Sequence, residues 1–317
     1  MPDEPSWTLF RERGVRVGTA SWTDKTLLEP GLFYPKGISS AADRLAFYAD
    51  HFPVVEVDAT YYALPAQRNA ELWVERTPPD FVFNVKAFGL LTQHPAKATA
   101  LPKDMREMLP EEVAAKPRFY PRDVPPEVID ESWKRFLGAL APLHTAGKLG
   151  AILFQFPEWF PPSRANKDYI VECGDRLAAI LPDASCAVEF RNEGWMRDAQ
   201  RQERTFAMLE EHGLTYVCVD MPQGFPTSIP PVTAATGPLA MIRFHGRRSE
   251  TWGKRGVTVT EKFRYDYSRS ELAEWEPRVE ELATKARETH VLMNNCYRNY
   301  AVRSASTMAQ LALDSFR

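Results

Sequence analysis

The chain has 317 residues, of which 44% are hydrophobic and 26% are charged, a composition typical of a soluble protein and a length sufficient for one large α/β domain or two smaller ones. Its formal net charge of −3 provides no overall basic field to attract nucleic acid or an anionic membrane surface. The first residues are acidic and no stretch approaches the roughly 20 apolar residues of a membrane span, so we expect a cytoplasmic protein without a membrane partner.

Eight short apolar runs predict β-strands, because each is rich in β-branched or aromatic residues and ends in polar ones. In chain order the runs span residues 15–21, 54–62, 81–87, 150–157, 185–191, 215–220, 239–246 and 289–295. Segments rich in Ala, Leu, Glu, Lys and Arg lie between them and predict helices. These segments span residues 41–51, 69–76, 127–146, 166–181, 198–212 and 270–287, with Ser39 or Ser40, Pro126 and Ser270 placed to start three of them.

The alternation of strand and helix predicts a parallel sheet, and eight such units in one chain match the closed (β/α)₈ TIM barrel. We expect one domain over residues 1–317, with the barrel proper over about residues 15–313. Residues 221–237 show no clear helix. A doubly wound open sheet is the alternative, but no GxGxxG follows the first run. Long loops are predicted after the third and seventh strands, on the face where function resides in this fold.

Polar residues interrupt or end nearly every predicted strand. Because strand residues alternate between the two faces of a sheet, one set is predicted to face the barrel lumen. This set is Glu56, Asp58, Thr60, Asn84, Lys86, Gln155, Glu189, Arg191, Asp220, Arg243, His245 and one of Asn294 and Asn295. Parallel strands bring these side chains to one end of the barrel, which predicts a ligand site there. A structural layer of salt bridges is the alternative.

Aromatic residues lie within a few positions of the same strand ends: Trp22, Tyr61, Tyr62, Phe88, Trp159, Trp195 and Tyr297. Flat apolar faces beside hydrogen-bonding groups suit sugars or nucleobases, although aromatic residues also pack beneath long loops. We expect Trp22, Trp159 and Trp195 to rim the pocket.

Four cysteines, Cys173, Cys186, Cys218 and Cys296, are widely spaced and form no CxxC motif. Two of them lie inside apolar strand-like runs. This pattern predicts reduced thiols rather than a disulfide framework or a structural zinc site.

Several motifs resemble those of the DUF72 family, the YecE-like proteins, in the same order over nearly the whole chain. They are GTASW, FYP, VEVDATYY, FNVKA, LFQFP, VEFRNEGW, RFHG and NNCYRNYAVRSA. The resemblance implies a TIM barrel and no particular reaction. It places Glu56, Lys86, Gln155, Glu189, Arg191, His245, Asn295, Tyr297 and Arg298 where the pattern expects them. Asp58 stands where the family has Asn, and Cys296 where it has His, so any role of that Asn or His is in question.

The leading hypothesis is an enzyme acting on a small polar substrate, anionic or sugar-like, by carboxylate general acid/base chemistry. The candidate catalytic residues are Glu56, Glu189, Lys86 and His245. The candidate substrate-binding residues are Trp22, Asp58, Tyr61, Gln155, Trp159, Arg191, Trp195, Asp220, Arg243, Asn295, Tyr297 and Arg298. If Glu189 serves the site rather than the scaffold, Glu189→Gln should leave thermal stability unchanged or raised.

Two alternatives stay open. A metal-dependent hydrolase or isomerase would use Glu56, Glu189, Asp220 and His245 around Mg, Mn or Zn, although the nearby bases disfavour a metal and we expect no cofactor. A nucleic-acid or protein binding module would use the basic cluster of Arg243, Arg247, Arg248, Lys254 and Arg255 with Trp252, and the overall charge disfavours nucleic acid. The expected partner is a small molecule, and the sequence carries no sign of the oligomeric state.

Overall fold

The computed structural model describes residues 12–29, 31–254 and 256–316. Within these residues eight parallel strands, each paired with the next in chain order, form a closed barrel. The strands are β1 (Val15–Thr19), β2 (Val54–Val57), β3 (Val82–Lys86), β4 (Leu149–Gln155), β5 (Ser185–Glu189), β6 (Thr215–Asp220), β7 (Leu239–Phe244) and β8 (Glu288–Met293). Each predicted run overlaps one of them, with β4 and β8 beginning one residue before their runs, so the predicted TIM barrel is confirmed.

Helices pack around the barrel: α1 (Ala41–Ala49), α2 (Gln67–Glu75), α3 (Pro126–Thr145), α4 (Arg164–Ile180), α5 (Ala199–Glu211), α6 (Arg269–Ala273), α7 (Glu276–Lys285) and α8 (Tyr300–Phe316). Side-chain caps start several of them. The Ser40 hydroxyl accepts from the Asp43 N–H at the start of α1, and the Asp198 carboxylate accepts from the Arg201 N–H at the start of α5. Such caps satisfy N–H groups that the first turn leaves unpaired. Pro126 occupies the first position of α3, as predicted.

The predicted helix 270–287 is wrong in two details. Ser268, not Ser270, caps α6, since its hydroxyl accepts from the Glu271 N–H while its own N–H donates to the Glu271 carboxylate. The segment also divides into α6 and α7, and Pro277 lies in the first turn of α7, where its missing N–H is tolerated. The sequence reasoning did not predict α8.

The loop after β3 runs from residue 87 to residue 125, and the loop after β7 from residue 245 to residue 268. Both predicted long loops are therefore present. The first contains short helical turns and one isolated bridge between Ala96 and Phe119. Both extend the barrel at the carboxyl ends of the strands. Among the described residues, no helix combines the length and apolar character that crossing a bilayer requires.

The connection between β6 and β7 contains no helix over residues 221–238, as the sequence indicated. Side-chain hydrogen bonds join this connection to the start of β6 and to its own backbone instead. The Thr236 hydroxyl accepts from the Tyr216 N–H at 2.8 Å and donates to the Leu214 carbonyl at 2.7 Å. The Ser228 hydroxyl donates to the Pro222 carbonyl at 2.6 Å. The segment thus packs on the barrel without a helical ladder.

Closure of the barrel depends mainly on β8. β1 pairs with β8 at five registered positions, from Val15↔Thr289 to Thr19↔Met293, but with β2 only at Thr19↔Val55. Helix α8 packs over both β1 and β8. Its Ala305, Met308 and Ala309 are fully buried in that interface. The two ends of the barrel are therefore joined by backbone pairing and by a shared apolar layer.

Candidate active site

Strand register decides which polar side chains meet in the lumen. Glu56 is in register with Asn84, and Gln155 with Glu189, while Arg243 on β7 is in register with Val219 on β6. Residues in register on parallel strands point to the same face of the sheet. Glu56, Glu189 and Arg243 are fully buried at the carboxyl end of the lumen. Three ionisable side chains therefore lie at the floor of the site.

Arg243 is the centre of this floor. Its Nε donates to Glu56 Oε2 at 2.9 Å, and its Nη2 donates to the other oxygen of the same carboxylate. Its remaining Nη1 donates to Glu189 Oε2. A guanidinium matches this planar, forked arrangement as an ammonium cannot. One cation thus bridges two buried carboxylates.

Glu189 receives four side chains. Besides Arg243, Gln155 Nε2 donates at 2.7 Å, Arg191 Nη2 lies at 2.8 Å and His245 Nε2 at 3.1 Å. Burial alone would raise the pKa of Glu189, but Arg243, Arg191 and His245 hold that pKa well below its usual range. Glu189 is therefore a permanent carboxylate whose lone pairs are already used.

Glu56 differs from Glu189 in its electrostatic surroundings. Burial raises the pKa of Glu56 to about 8, the Asp58 carboxylate acts in the same direction, and the Arg243 guanidinium opposes both. Two neighbouring carboxyls whose pKa values are displaced in opposite directions can separate the roles of acid and base. Glu56 is thus the floor carboxyl that takes up a proton more readily.

His245 uses both of its ring nitrogens. Nδ1 lies 2.8 Å from Asn294 Nδ2, and Nε2 lies 3.2 Å from Arg191 Nη2 and 3.1 Å from Glu189 Oε1. Burial and the charge of Arg191 lower the pKa of His245 to about 3, so the imidazole is neutral. His245 therefore positions Glu189. Asn294 is the lumen-facing member of the pair Asn294 and Asn295.

Above the floor, the mouth of the site contains less completely paired groups. Lys86 Nζ lies 3.5 Å from Asp58 Oδ1 and 5.0 Å from the centre of the Tyr61 ring, and it makes no hydrogen bond within the described part of the chain. Asp58 Oδ1 is buried and likewise has no hydrogen-bond partner there. The Lys86 and Arg191 side chains are each 13% exposed. Donors and an acceptor at the mouth are thus available to a ligand.

One side of the mouth is an aromatic lip, formed by Tyr62, Tyr61, His94, Trp159 and Tyr120. Successive ring centres along this series are 5.0, 5.2, 5.8 and 6.2 Å apart, and each pair is edge-to-face. Tyr62 is 62% and Trp159 50% exposed, although both are large apolar side chains. The buried Trp252 ring contacts both the Arg191 guanidinium and the Lys262 ammonium. Exposed aromatic surface therefore borders the charged mouth at the lip.

His94 is a site residue that the sequence reasoning missed. The Thr92 hydroxyl donates to the Gly89 carbonyl at 3.1 Å, so it must accept from His94 Nδ1 at 2.9 Å. His94 Nε2 is then an acceptor, without a partner among the residues that the structure describes. Burial, Lys86 and Arg191 lower the pKa of His94 to about 3, which keeps the ring neutral. No strand pattern indicates this residue, because it lies in the loop after β3.

Asp220 does not join the cluster, which corrects the sequence prediction. It is in register with Phe244, so it faces the helices rather than the lumen. Its carboxylate accepts from Trp275 Nε1 at 2.7 Å, the Tyr267 hydroxyl at 2.6 Å and the Arg247 guanidinium at 2.8 Å. Asp220 therefore ties the loop after β7 to α7 outside the barrel.

Trp22 and Trp195 also lie outside the site, contrary to prediction. Trp22 packs edge-to-face on Trp73 of α2 and on Phe83, on the helix side of β3. Trp195 is fully buried, stacks on Phe190 and donates to the Phe160 carbonyl at 2.7 Å. Both are core residues beneath loops. Of the three predicted rim tryptophans, only Trp159 lies at the mouth.

The three predicted residues after β8 serve the loop connections. Asn295 is fully buried and donates to the Tyr265 carbonyl at 2.9 Å and to Ser304. Tyr297 packs beneath the Arg264 guanidinium, 4.7 Å from its carbon. Arg298 pairs with Glu29 at 3.6 Å. None of these contacts reaches the charged floor.

The predicted set of metal ligands is not brought together. The Arg243 guanidinium occupies the space between Glu56 and Glu189, and Asp220 faces away from them. No group of three or more His, Cys, Asp and Glu side chains within residues 12–29, 31–254 and 256–316 is arranged to hold a metal ion.

The basic cluster considered for nucleic-acid binding is largely neutralised. Arg243 is buried between two carboxylates, Arg247 pairs with Asp220 and Glu274, and Arg248 pairs with Glu250 and Glu261. Arg255 lies outside the described residues, and Lys254 is exposed. Paired guanidinium groups have few donors left for phosphates, so this cluster lends the binding-module alternative little support.

Cys296 lies at the edge of the site. Burial, together with the carboxylates of Asp24, Asp58 and Glu56, raises the pKa of its thiol well above the usual range. Burial also raises the pKa of Cys186 and of Cys218 to about 12. Because the thiolate is the reactive form, these thiols should be inert in the folded protein.

We therefore expect no alkylation by iodoacetamide at pH 7.5 in the native protein, and complete labelling of all four cysteines after unfolding in guanidinium chloride. Mass spectrometry of the intact chain measures both. Rapid labelling of Cys296 alone in the native protein would contradict the protonated state assigned to its thiol.

The fold and the site define a TIM-barrel protein with a charged floor and an aromatic lip at the carboxyl ends of its strands. The model of the family described as "Protein of unknown function DUF72" matches residues 16–316, and the chain belongs to this family. It is 30% identical to the UPF0759 protein YunF of Bacillus subtilis over 303 residues, which is 94% of each chain.

Two solved structures have a similar fold over nearly the whole chain. A DUF72 family protein from Enterococcus faecalis superposes with a TM-score of 0.73 at 25% identity, covering 94% of this chain and 95% of that one. A DUF72 family protein from Thermotoga maritima superposes with a TM-score of 0.71 at 29% identity, covering 94% and 98%. The resemblance seen in the sequence motifs is thereby confirmed.

Proposed function

We propose that the protein is an enzyme that binds a small anionic substrate at the mouth of the barrel and transfers a proton by means of a carboxyl group. The observation that carries the proposal is the incomplete pairing of Lys86 and Arg191. Both cations are partly exposed, and Lys86 makes no hydrogen bond within the described chain. A carboxylate or phosphate group would supply the missing acceptors.

Asp58 is the carboxylate best placed to act on such a substrate. Its Oδ1 has no hydrogen-bond partner among the described residues and lies 3.5 Å from Lys86 Nζ. A base must reach the proton that it removes, and the Asp58 side chain, which is 29% exposed beside the anion-binding cations, meets that condition. Asp58 thus takes the role of base that the sequence suggested for Glu189.

The floor residues do not contact the substrate but position the charged groups at the mouth. Glu189 has four partners and His245 has both nitrogens occupied, so neither offers a free atom to a substrate. They hold Arg191 in place at the mouth. Glu56, whose pKa is raised to about 8 by burial, can exchange a proton near neutral pH beside Asp58. The floor therefore fixes the charges that the mouth presents.

Binding of inorganic phosphate, measured by isothermal titration calorimetry, tests the anion site. Lys86→Met and Arg191→Gln should each weaken phosphate binding at least about tenfold, because each removes a charge-assisted hydrogen bond. The matched control is Lys97→Met, which removes an exposed lysine from the loop that follows β3 and should leave the phosphate affinity unchanged. Equal phosphate affinity in all four proteins would refute the proposed anion site.

Proton NMR of a mixture of sugar phosphates and hydroxy acids tests the chemistry. We expect slow conversion of one component by the wild-type protein and none by Asp58→Asn. Asp58→Asn should still bind phosphate, since Lys86 and Arg191 remain. Unchanged conversion by Asp58→Asn would remove the carboxylate from the mechanism.

A further inference from the structure

We infer that the substrate is an anionic sugar, a monosaccharide carrying a phosphate or a carboxylate group. Its acid group would lie on Lys86 and Arg191, and its ring on the aromatic lip at Trp159. The inference rests on the proposed function, and it assigns a sugar subsite to His94, Trp159 and Asp58.

The lip supplies the apolar part of this subsite. Trp159 is 50% exposed, and its indole N–H is already directed to the Gln93 carbonyl at 3.3 Å. The indole therefore presents its ring surface to a ligand rather than its polar atom. The C–H groups on one face of a sugar ring form an apolar patch that fits a flat aromatic side chain.

Unpaired acceptors supply the polar part. His94 Nε2 is fixed as an acceptor by the hydrogen bond of Nδ1 to Thr92. Asp58 Oδ1 is a second acceptor without a hydrogen-bond partner among the described residues. Each needs a donor, and sugar hydroxyls are donors that can rotate toward an acceptor. A ligand without hydroxyl groups, such as acetate, would leave both unsatisfied.

The three elements are successive neighbours at the mouth. Lys86 Nζ is 5.0 Å from the Tyr61 ring, the Tyr61 ring 5.2 Å from His94, and His94 5.8 Å from Trp159. His94 also lies close enough to Lys86 and Arg191 for both charges to act on it. Cations, acceptors and ring surface thus follow one another along a single side of the mouth.

Tryptophan fluorescence and calorimetry with five probes test the inference: inorganic phosphate, glucose, glucose 6-phosphate, glucuronate and AMP. Glucose 6-phosphate or glucuronate should bind at least about tenfold more tightly than inorganic phosphate, and glucose only weakly. Whichever of these two sugar acids binds more tightly shows whether the site prefers a phosphate or a carboxylate group. Tighter binding of AMP than of either sugar acid, or of glucose than of both, would overturn the inference.

Substitutions then separate the sugar subsite from the anion site. Trp159→Ala and His94→Phe should abolish the advantage of the sugar acid over phosphate while leaving phosphate affinity unchanged. The control is Met108→Ala, which removes an exposed apolar side chain from the loop after β3, the loop that also carries His94, and should keep that advantage. A sugar acid that binds no better than phosphate in the wild type would sink the inference but not the proposed function. Absence of binding by all anions would sink both.

Discussion

Arg243→Met is expected to lower the free energy of unfolding by about 3–5 kcal/mol or more, because it leaves buried carboxylates without their cation. Glu56 loses both of its donors, and Glu189 loses one of four. All three side chains are fully buried, so water cannot replace the guanidinium. This is the largest effect on stability that we expect from a single substitution in the site.

Urea unfolding followed by circular dichroism measures the loss. Arg243→Lys should recover little, because an ammonium cannot donate to both carboxylates in the same plane. Neutralising Glu56 to Gln in the Arg243→Met background should recover part of the stability, since Glu56 is the carboxylate left without a donor. A stability for Arg243→Met within about 1 kcal/mol of the wild type would show that the floor is not a paired network.

Glu189→Gln should also lower stability by several kcal/mol, the opposite of what the sequence alone suggested. The substitution leaves Arg243 with one carboxylate and turns an amide N–H₂ toward Gln155, Arg191 or His245. Breaking a buried, fully paired carboxylate in this way costs about 3–5 kcal/mol. Phosphate binding should weaken as well, because Arg191 is no longer held by its partner.

The pH dependence checks the assignment. The pKa of Glu189 lies below its unfolded value of about 4.5, so its contribution is present above pH 4.5 and is lost as the pH falls from there toward the folded pKa. The stability difference between the wild type and Glu189→Gln should therefore shrink as the pH falls below about 4.5. A difference that grows on acidification would contradict this state of Glu189.

Asp220→Asn is the matched control for Glu189→Gln. Asp220, like Glu189, is a buried carboxylate that several side chains contact. It has three side-chain donors, but it faces the helices. Asp220→Asn should cost comparable stability while leaving phosphate affinity unchanged. Equal loss of binding in both variants would return Asp220 to the site.

The alternation along the strands predicted most of the floor correctly. At the end of β5 and just beyond it, Glu189 and Arg191 alternate with Val188 and Phe190. The structure places the charged pair on the lumen side. Such alternation is readable because burial on one face requires apolar residues there. The fold and the charged floor could therefore be anticipated from the sequence alone.

The errors arose where alternation carries no information. β6 is apolar on both faces, so the final Asp220 could not be assigned to a face until its register with Phe244 was known. Trp22 and Trp195 lie in loops, where no period indicates direction. His94 was invisible for the same reason, although its Thr92–x–His94 spacing produces the hydrogen bond that fixes its tautomer. Tertiary packing of the loops supplied these answers.

The two departures from the family pattern lie close together in the structure. Asp58, where the motif resemblance implies Asn, is one of the charges that raise the pKa of the thiol of Cys296, where the resemblance implies His. Relative to that pattern, this edge of the site is more negative.

The unequal pairing of β1 has a consequence for synthesis on the ribosome. β1 meets β8 at five registered positions and β2 at one, yet β8 is the last of the eight strands to be translated. Translation proceeds at roughly 5–20 residues per second, so β1 of the nascent chain lacks its main partner for most of the time that synthesis of the barrel takes. Ring closure is therefore the final event in the maturation of the barrel, and it awaits the release of β8 and α8 from the exit tunnel.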